Sequence, residues 1–200
     1  KWPWDRGVIV QEKMDAMFVN IDNEENGLVS IRSRQGSEFP MDKFAQLAKA
    51  VSKHLKPGTE SLSELLVFRA GKLLDRQTGN GVINHVLDGG DFAIDEYPMA
   101  VIWDQIPLTS VVKKGKCNTP YSKRLESLSE QISKIDFLSE DFGHIGLAPT
   151  TTVFSYEEAI AVYRKYLADG KEGVILKHPD GIWRDGTSKD QIKKKLEVDV

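Results

Sequence analysis

An Asn-Gly pair between two short apolar runs is the feature that most constrains the fold of this chain. Asn26-Gly27 follows the run Met17 to Ile21 and opens the run Gly27 to Arg32. This dipeptide favours the tight turn that reverses the chain between two antiparallel strands. We therefore predict a β-hairpin in the N-terminal third. The apolar residues Val8 to Val10 predict a further strand before it.

The rest of the chain mixes helical and strand patterns. Helical spacing of apolar residues predicts helices over residues 41–55, 121–135 and 155–170, and short apolar runs predict strands over residues 62–68, 99–106 and 173–176. Ser155 and Glu158 form a capping box at the start of the last helix. Residues 141–152 are predicted to be a loop, and Asp180-Gly181 to be the turn of another hairpin. These elements predict an α+β fold with antiparallel sheets flanked by helices.

The composition argues against a membrane protein, a disulfide-stabilised protein and a wholly basic nucleic-acid coat. The 200 residues include 27 basic and 30 acidic side chains, for a net charge of −3. A local basic patch, such as the lysines between Lys189 and Lys195, is still sufficient for a DNA enzyme. The lone Cys117 favours a reducing compartment such as the cytoplasm. No apolar run approaches the ~20 residues that span a bilayer.

Six short motifs occur in series between residues 13 and 195. They are Lys13-Met14-Asp15, Ser33-Arg34-Gln35-Gly36, Ser63-Glu64-Leu65, Trp103-Asp104, the segment Glu172 to Lys177, and Lys193-Lys194-Lys195. Taken alone, each is weak, because a lysine beside a carboxylate at a strand end is usually a solvated ion pair. In this order they resemble the motifs of the covalent nucleotidyltransferases, which comprise DNA ligases, RNA ligases and mRNA capping enzymes.

Three longer segments resemble the ATP-dependent DNA ligases more specifically, those of the T-even phage type in particular. These segments are Asp75 to Gly81, Val101 to Leu108, and Glu172 to Val200. The resemblance implies the ATP-grasp-like covalent nucleotidyltransferase fold, with residues 1–200 as the adenylation domain. It also implies an OB-fold domain after residue 200, which is absent from this chain.

The resemblance implies that Lys13 is the nucleophile, which attacks the α-phosphate of ATP and retains AMP as a covalent adduct. The amine must lose its proton before it attacks, and nearby positive charge favours that loss. Lys193 and Lys195 alternate on a predicted strand, so both point to one face. They are expected to clamp the α-phosphate, since preorganised positive charge stabilises phosphoryl transfer.

The remaining motif residues are expected to hold the nucleotide and a metal ion. Trp103 would stack on adenine, Arg34 would contact the ribose or the nick phosphate, and Lys177 would reach the phosphates. Glu172 and Glu64 would hold Mg²⁺, or Mn²⁺ in its place, with Glu64 also near the ribose. Arg76 is a weaker candidate for a DNA or phosphate contact. The implied substrate is nicked double-stranded DNA, and the implied state is a monomer.

Three positions depart from the family pattern. Ala16 stands where the family has glycine, Phe18 where DNA ligases usually have arginine, and Ser63 where a glycine precedes the motif glutamate. Arg32 is one candidate to replace the missing arginine. Two alternatives therefore stay open at this point: an RNA ligase or GTP-using capping enzyme, and a catalytically degenerate module that binds nicks or nucleotides.

Overall fold

The computed structural model describes residues 2–186 and 188–195, so residues 196–200 of the predicted ligase-like tail lie outside the described residues. In the described part the helices are α1 (Ala45–His54), α2 (Arg76–Leu87), α3 (Tyr121–Ser133) and α4 (Tyr156–Ala168), with short 3-10 turns at Leu108–Ser110 and Glu140–Gly143. The strands are β1 (Val8–Glu12), β2 (Met17–Asn23), β3 (Val29–Ser33), β4 (Thr59–Arg69), β5 (Lys72–Leu73), β6 (Glu96–Pro107), β7 (Lys116–Cys117), β8 (Ile145–Leu147), β9 (Thr150–Val153), β10 (Gly173–Lys177), β11 (Trp183–Arg184) and β12 (Gln191–Lys195).

The chain divides into two compact units. Unit 1 comprises residues 1–15, 110–125 and 148–200, and unit 2 comprises residues 16–109 and 126–147. Each unit is built on its own β-sheet and has its own apolar core. Both sheets are mainly antiparallel, which confirms the predicted α+β class.

Unit 2 is a six-stranded sheet in the order β3-β2-β4-β6-β8, with β5 paired to β4. Side chains alternate between the two faces of a strand, and one face carries Val19, Ile21, Leu65 and Ile102 into the core. Residues of α1, α2 and α3 pack on this same face, including Leu47, Ile83 and Leu128. The opposite face carries Glu64 together with the buried Leu62 and Val101.

Unit 1 contains a four-stranded sheet in the order β12-β10-β1-β9 and a two-stranded pair of β7 and β11. Val8, Val10 and Val174 form its core, with Val162, Tyr163 and Tyr166 of α4 packed against them. The helix begins where predicted, because the Glu158 N–H donates to the Ser155 hydroxyl at 3.1 Å. Helix α4 thus covers one face of this sheet.

The hairpin at Asn26-Gly27 is confirmed, since β2 and β3 pair antiparallel with Ile21 opposite Ile31. The predicted loop over residues 141–152 is wrong. Part of that segment forms β8, which pairs in parallel with β6, and part forms β9, which pairs with β1. These strands are only three and four residues long, so distant partners rather than a local pattern stabilise them.

The second predicted hairpin, at Asp180-Gly181, is also wrong. The chain does turn there, because the Gly181 N–H donates to the His178 carbonyl at 2.9 Å. However, β10 pairs with β12, and β11 pairs with β7. Helix α2 was not predicted at all. No described helix is both long enough and apolar enough to cross a bilayer.

Candidate active site

The row formed by Lys13, Gly173 and Lys195 marks one end of the unit 1 sheet. The Lys13 N–H donates to the Gly173 carbonyl at 2.9 Å, and Gly173 lies opposite Lys195 in the pairing of β10 with β12. Lys13 and Lys195 therefore flank Gly173 on its two sides. This arrangement brings together the two ends of the motif series, which are separated by most of the sequence.

Three predicted site lysines share the face of this sheet that α4 does not cover. In the pairing of β10 with β12, Lys195 lies opposite Gly173, Lys193 opposite Ile175 and Gln191 opposite Lys177. Because alternate residues point to the same face, Lys177, Lys193 and Lys195 point to one side. The intervening Lys194 points to the other, where its ammonium lies 5.8 Å from the centre of the Tyr163 ring. The predicted alternation of Lys193 and Lys195 is therefore present in the structure.

Lys13 forms an ion pair with Glu172. The Lys13 Nζ contacts the Glu172 Oε2, and the two side chains are only 20% and 26% exposed. The adjacent Glu12 and Lys171 form a separate ion pair at 3.1 Å, in which the Glu12 carboxylate is buried. The proposed nucleophile and the proposed metal ligand are therefore direct partners, although they are far apart in sequence.

Lys177 is placed deeper than the other lysines. It is only 4% exposed, and its ammonium donates to the Tyr121 hydroxyl at 3.3 Å and lies 4.4 Å from the centre of that ring. Tyr121, the first residue of α3, was not singled out from the sequence. Nothing local identifies it, because its relation to Lys177 depends on a contact across 56 residues.

Glu64 and Trp103 lie on the β4 and β6 strands of unit 2. Glu64 is opposite Phe18 on one side and Val101 on the other. The pairing of β4 with β6 shifts at Leu62 and Ser63, which face Asp104 and Ile102, so Trp103 is the extra residue of a β-bulge. Bulges turn a side chain away from its regular direction and are frequent beside active sites.

Arg34, Phe18 and Trp103 form a cluster in unit 2. The Arg34 guanidinium lies 5.2 Å from the centre of the Phe18 ring. That ring lies 6.1 Å from the Trp103 ring at an interplanar angle of 40°. Phe18, which departs from the family pattern, is thus the central member of the cluster, and Glu64 is its cross-strand neighbour.

Arg32 is engaged at a different point of the same sheet. Its guanidinium contacts the Asp22 carboxylate at 2.6 Å and the Glu60 carboxylate at 3.2 Å. Burial, followed by the neighbouring Asp22 carboxylate, raises the pKa of Glu60 to about 7. Arg32 therefore compensates two buried carboxylates, and none of these contacts involves Phe18.

Two further predictions concern Arg76 and a metal ion. Arg76 is the exposed first residue of α2, which Asp75 caps by accepting a hydrogen bond from the Thr78 N–H at 3.0 Å. Among residues 2–186 and 188–195, no three His, Cys, Asp or Glu side chains converge to hold a metal ion. A metal at Glu172 or Glu64 would therefore need ligands other than a protein cage.

Comparisons with known proteins identify the family. Residues 4–195 match the model of the ATP dependent DNA ligase domain. The DNA ligases of Enterobacteria phages T4 and T6 are 29% and 30% identical over 126 residues, which is 62% of this chain and 24% of each relative. The chain thus spans about a quarter of the length of these relatives.

A solved structure agrees with the fold. The structure described as the ATP-dependent DNA ligase from bacteriophage T7 in complex with ATP has a TM-score of 0.71, with 20% identity. The match covers 96% of this chain and 64% of the T7 chain. Together with the family match, which includes nearly every described residue, this leads to one conclusion. The chain belongs to the family of ATP-dependent DNA ligase domains.

Proposed function

We propose that this chain is the catalytic core of a DNA ligase and that Lys13 carries the covalent intermediate. The Lys13 amine attacks the α-phosphate of ATP, so that an N–P bond forms, the P–O bond to pyrophosphate breaks and the amine proton is released. AMP then passes to the 5′-phosphate of a DNA nick. Attack by the 3′-hydroxyl on that phosphate releases AMP and closes the backbone.

The observation that carries this proposal is the position of Lys13 in unit 1. Its backbone N–H donates a hydrogen bond to the Gly173 carbonyl, and its side chain forms an ion pair with Glu172. Lys195 lies on the other side of Gly173. Lys193 and Lys195 present positive charge on one face, where they would stabilise the charge on the α-phosphate as the bond to pyrophosphate breaks. Lys177 is assigned to the phosphates as well.

The side chains of unit 2 are assigned to the nucleoside part of ATP. Trp103 would stack on adenine, because an indole offers a large flat surface to a base. Arg34 would contact the ribose or the nick phosphate, and Glu64 would contact the ribose or the metal. Support comes from the cluster that Arg34 and Trp103 form with Phe18, beside Glu64.

Mg²⁺, or Mn²⁺ in its place, is proposed as the metal. Magnesium is usually held by one or two carboxylates together with phosphate oxygens and water, and the partly exposed Glu172 suits that pattern without a protein cage. When bound, the ion would neutralise charge on the phosphate oxygens. Glu172, which pairs with Lys13 in the structure, would be the carboxylate that holds the ion.

Nicked double-stranded DNA is the proposed partner, and the chain is proposed to act as a monomer in the cytoplasm. In this family an OB-fold domain is expected to follow the adenylation domain, and such domains bind nucleic-acid strands.

Labelling with radioactive nucleotide tests the proposal. We expect ATP labelled at the α-phosphate to attach to the chain and GTP to leave it unlabelled. Lys193→Ala and Lys195→Ala should each slow labelling at least tenfold. Lys194→Ala is the matched control, because it removes the same charge from the same strand on the opposite face; it should change the rate less than about threefold.

Two results would favour the alternatives. Labelling by GTP alone would indicate a capping-type enzyme. Chain that binds nicked DNA but takes no label from either nucleotide would indicate a degenerate binding module, in which Ala16 and Phe18 mark the loss of catalysis.

A further inference from the structure

The Phe18 ring contacts two side chains, those of Arg34 and Trp103. The Arg34 guanidinium lies 5.2 Å from the ring centre, and the Trp103 ring lies 6.1 Å away. The proposed function assigns Trp103 to the adenine and Arg34 to the ribose or the nick phosphate. Phe18 itself has no assigned role, since its position is one at which the chain departs from the family pattern.

The position of Phe18 in the sheet shows that it does not serve the main core. The next residue, Val19, is fully buried in the core of unit 2. Phe18 therefore points to the opposite face of β2, where it is only partly buried and pairs across the strand with Glu64. This face also carries the buried Leu62, Leu66 and Val101, and packing against the helices does not explain a phenylalanine here.

The contact between Phe18 and Arg34 gives the Phe18 ring a role. Arg34 follows β3 and is exposed, so its long side chain would otherwise sample many rotamers. An aromatic face attracts a guanidinium by cation–π interaction. The Phe18 ring also packs against the Trp103 ring. The three side chains thus form a chain of contacts from the β-bulge to Arg34.

We propose that Phe18 is a positioning residue for nucleotide binding: its ring, fixed by Trp103, orients the Arg34 guanidinium toward the nucleotide. Phe18 transfers no proton and forms no bond to ATP. Its effect is to lower the entropy that Arg34 loses when ATP binds. This inference rests on the proposed function, because it requires Arg34 to contact ATP.

Phe18→Leu and Phe18→Tyr test the proposal in the full chain. Leucine removes the aromatic face, whereas tyrosine keeps it. We expect Phe18→Leu to raise the ATP concentration for half-maximal labelling about three- to tenfold, and to change the limiting labelling rate less than about twofold. Phe18→Tyr should keep the ATP concentration for half-maximal labelling within about twofold of the parent value. A purely structural role would not separate these two quantities.

Phe68→Leu is the matched control. Phe68 is stacked on Tyr97 at 5.4 Å in the same sheet, away from the Arg34 cluster. This change should leave half-saturation by ATP unaltered. The proposal would be overturned if Phe18→Leu and Phe68→Leu changed half-saturation by ATP equally. It would also be overturned if Phe18→Tyr weakened half-saturation as much as Phe18→Leu.

A double-mutant cycle with Arg34→Ala tests whether Phe18 acts through Arg34. In that background Phe18→Leu should change half-saturation by about twofold or less, because the two side chains are coupled. The full effect in both backgrounds would overturn the proposal. If Phe18→Leu fails to fold, Arg34→Lys replaces it: lysine keeps the charge but loses the planar face, and unchanged half-saturation would again contradict the proposal.

Equilibrium dialysis with ATP separates the two levels of the account. If the parent chain binds ATP and takes label, and Phe18→Leu leaves half-saturation by ATP unchanged, only the role of Phe18 is refuted. A parent chain that neither binds ATP nor takes label would refute the proposed function, and the role of Phe18 with it.

Discussion

Gly173 lies against the Lys194 carbonyl so closely that a Cβ on Gly173 would come within 2.2 Å of that oxygen. Its φ of +149° is also one that side-chain-bearing residues rarely adopt. The absence of a side chain therefore allows β12 to pair with β10 at the row that contains Lys13 and Lys195.

Gly173→Ala should displace β12 and slow adenylation of the chain at least tenfold. We expect a loss of about 1–3 kcal/mol in the free energy of unfolding, measured with urea. Gly170→Ala is the control, because Gly170 has a φ of +74° but open space around it; it should lose about 1 kcal/mol and keep its labelling rate. Normal labelling by Gly173→Ala would show that the placement of β12 is unimportant.

Tyr163 should also help to hold the lysine strand. Its hydroxyl donates to the Lys195 carbonyl at 3.1 Å, and its ring contacts Lys194. Tyr163→Phe keeps the ring and loses the hydrogen bond, so we expect a two- to fivefold slower labelling rate and a stability loss of at most about 1 kcal/mol. Tyr156→Phe, an exposed tyrosine of the same helix, should have no effect. Equal rates for both variants would rule out an anchoring role.

Glu60 should make the stability of the chain depend on pH near neutrality. Its pKa is raised to about 7, whereas an unfolded chain would release this proton near 4.5. Between these values the folded state binds more protons, so stability should fall as pH rises from about 4.5 to 7 and then level off. Glu60→Gln cannot ionise and should reduce this fall by about 1–2 kcal/mol, measured by urea unfolding at pH 5 and pH 8. An unchanged pH profile would contradict the assignment.

Asp141 should produce the opposite dependence in acid. Hydrogen bonds from Lys53 and then His54, each 2.8 Å long, lower the pKa of Asp141 to about 2. Its contribution is therefore fully present above about pH 4 and is lost as pH falls through about 2. Asp141→Asn should lower stability at pH 7 by about 0.5–1 kcal/mol and by less at pH 2. Thermal unfolding of the parent and of Asp141→Asn measures this difference. A stability difference that stays constant between pH 7 and pH 2 would show that the ionised carboxylate of Asp141 does not cause it.

The sequence predicted those parts of the fold that local patterns determine. The Asn26-Gly27 hairpin and the capped start of α4 depend on neighbouring residues, and both are present. The alternation of Lys193 and Lys195 followed from a strand that was itself predicted correctly. Strand β8 was missed because its three residues are defined by parallel pairing with β6.

The motifs located the candidate residues but not their partners. The pairing of Lys13 with Glu172 spans most of the chain, and the contact of Lys177 with Tyr121 depends on the start of α3. The bulge at Trp103 arises from a register shift between β4 and β6, which leaves no mark in either strand alone. These features depend on tertiary pairing, so no short window of sequence contains them.

The identity of the nucleophile is the central claim, and the mass of the ATP-treated chain tests it most directly. After incubation with ATP and magnesium, we expect the parent chain to gain one adenylyl group, located by peptide mapping on Lys13. Lys13→Ala should gain none, whereas Lys171→Ala, which removes the lysine of the neighbouring ion pair, should still gain one. An adduct on Lys13→Ala equal to that of the parent, or no adduct on the parent, would contradict the account.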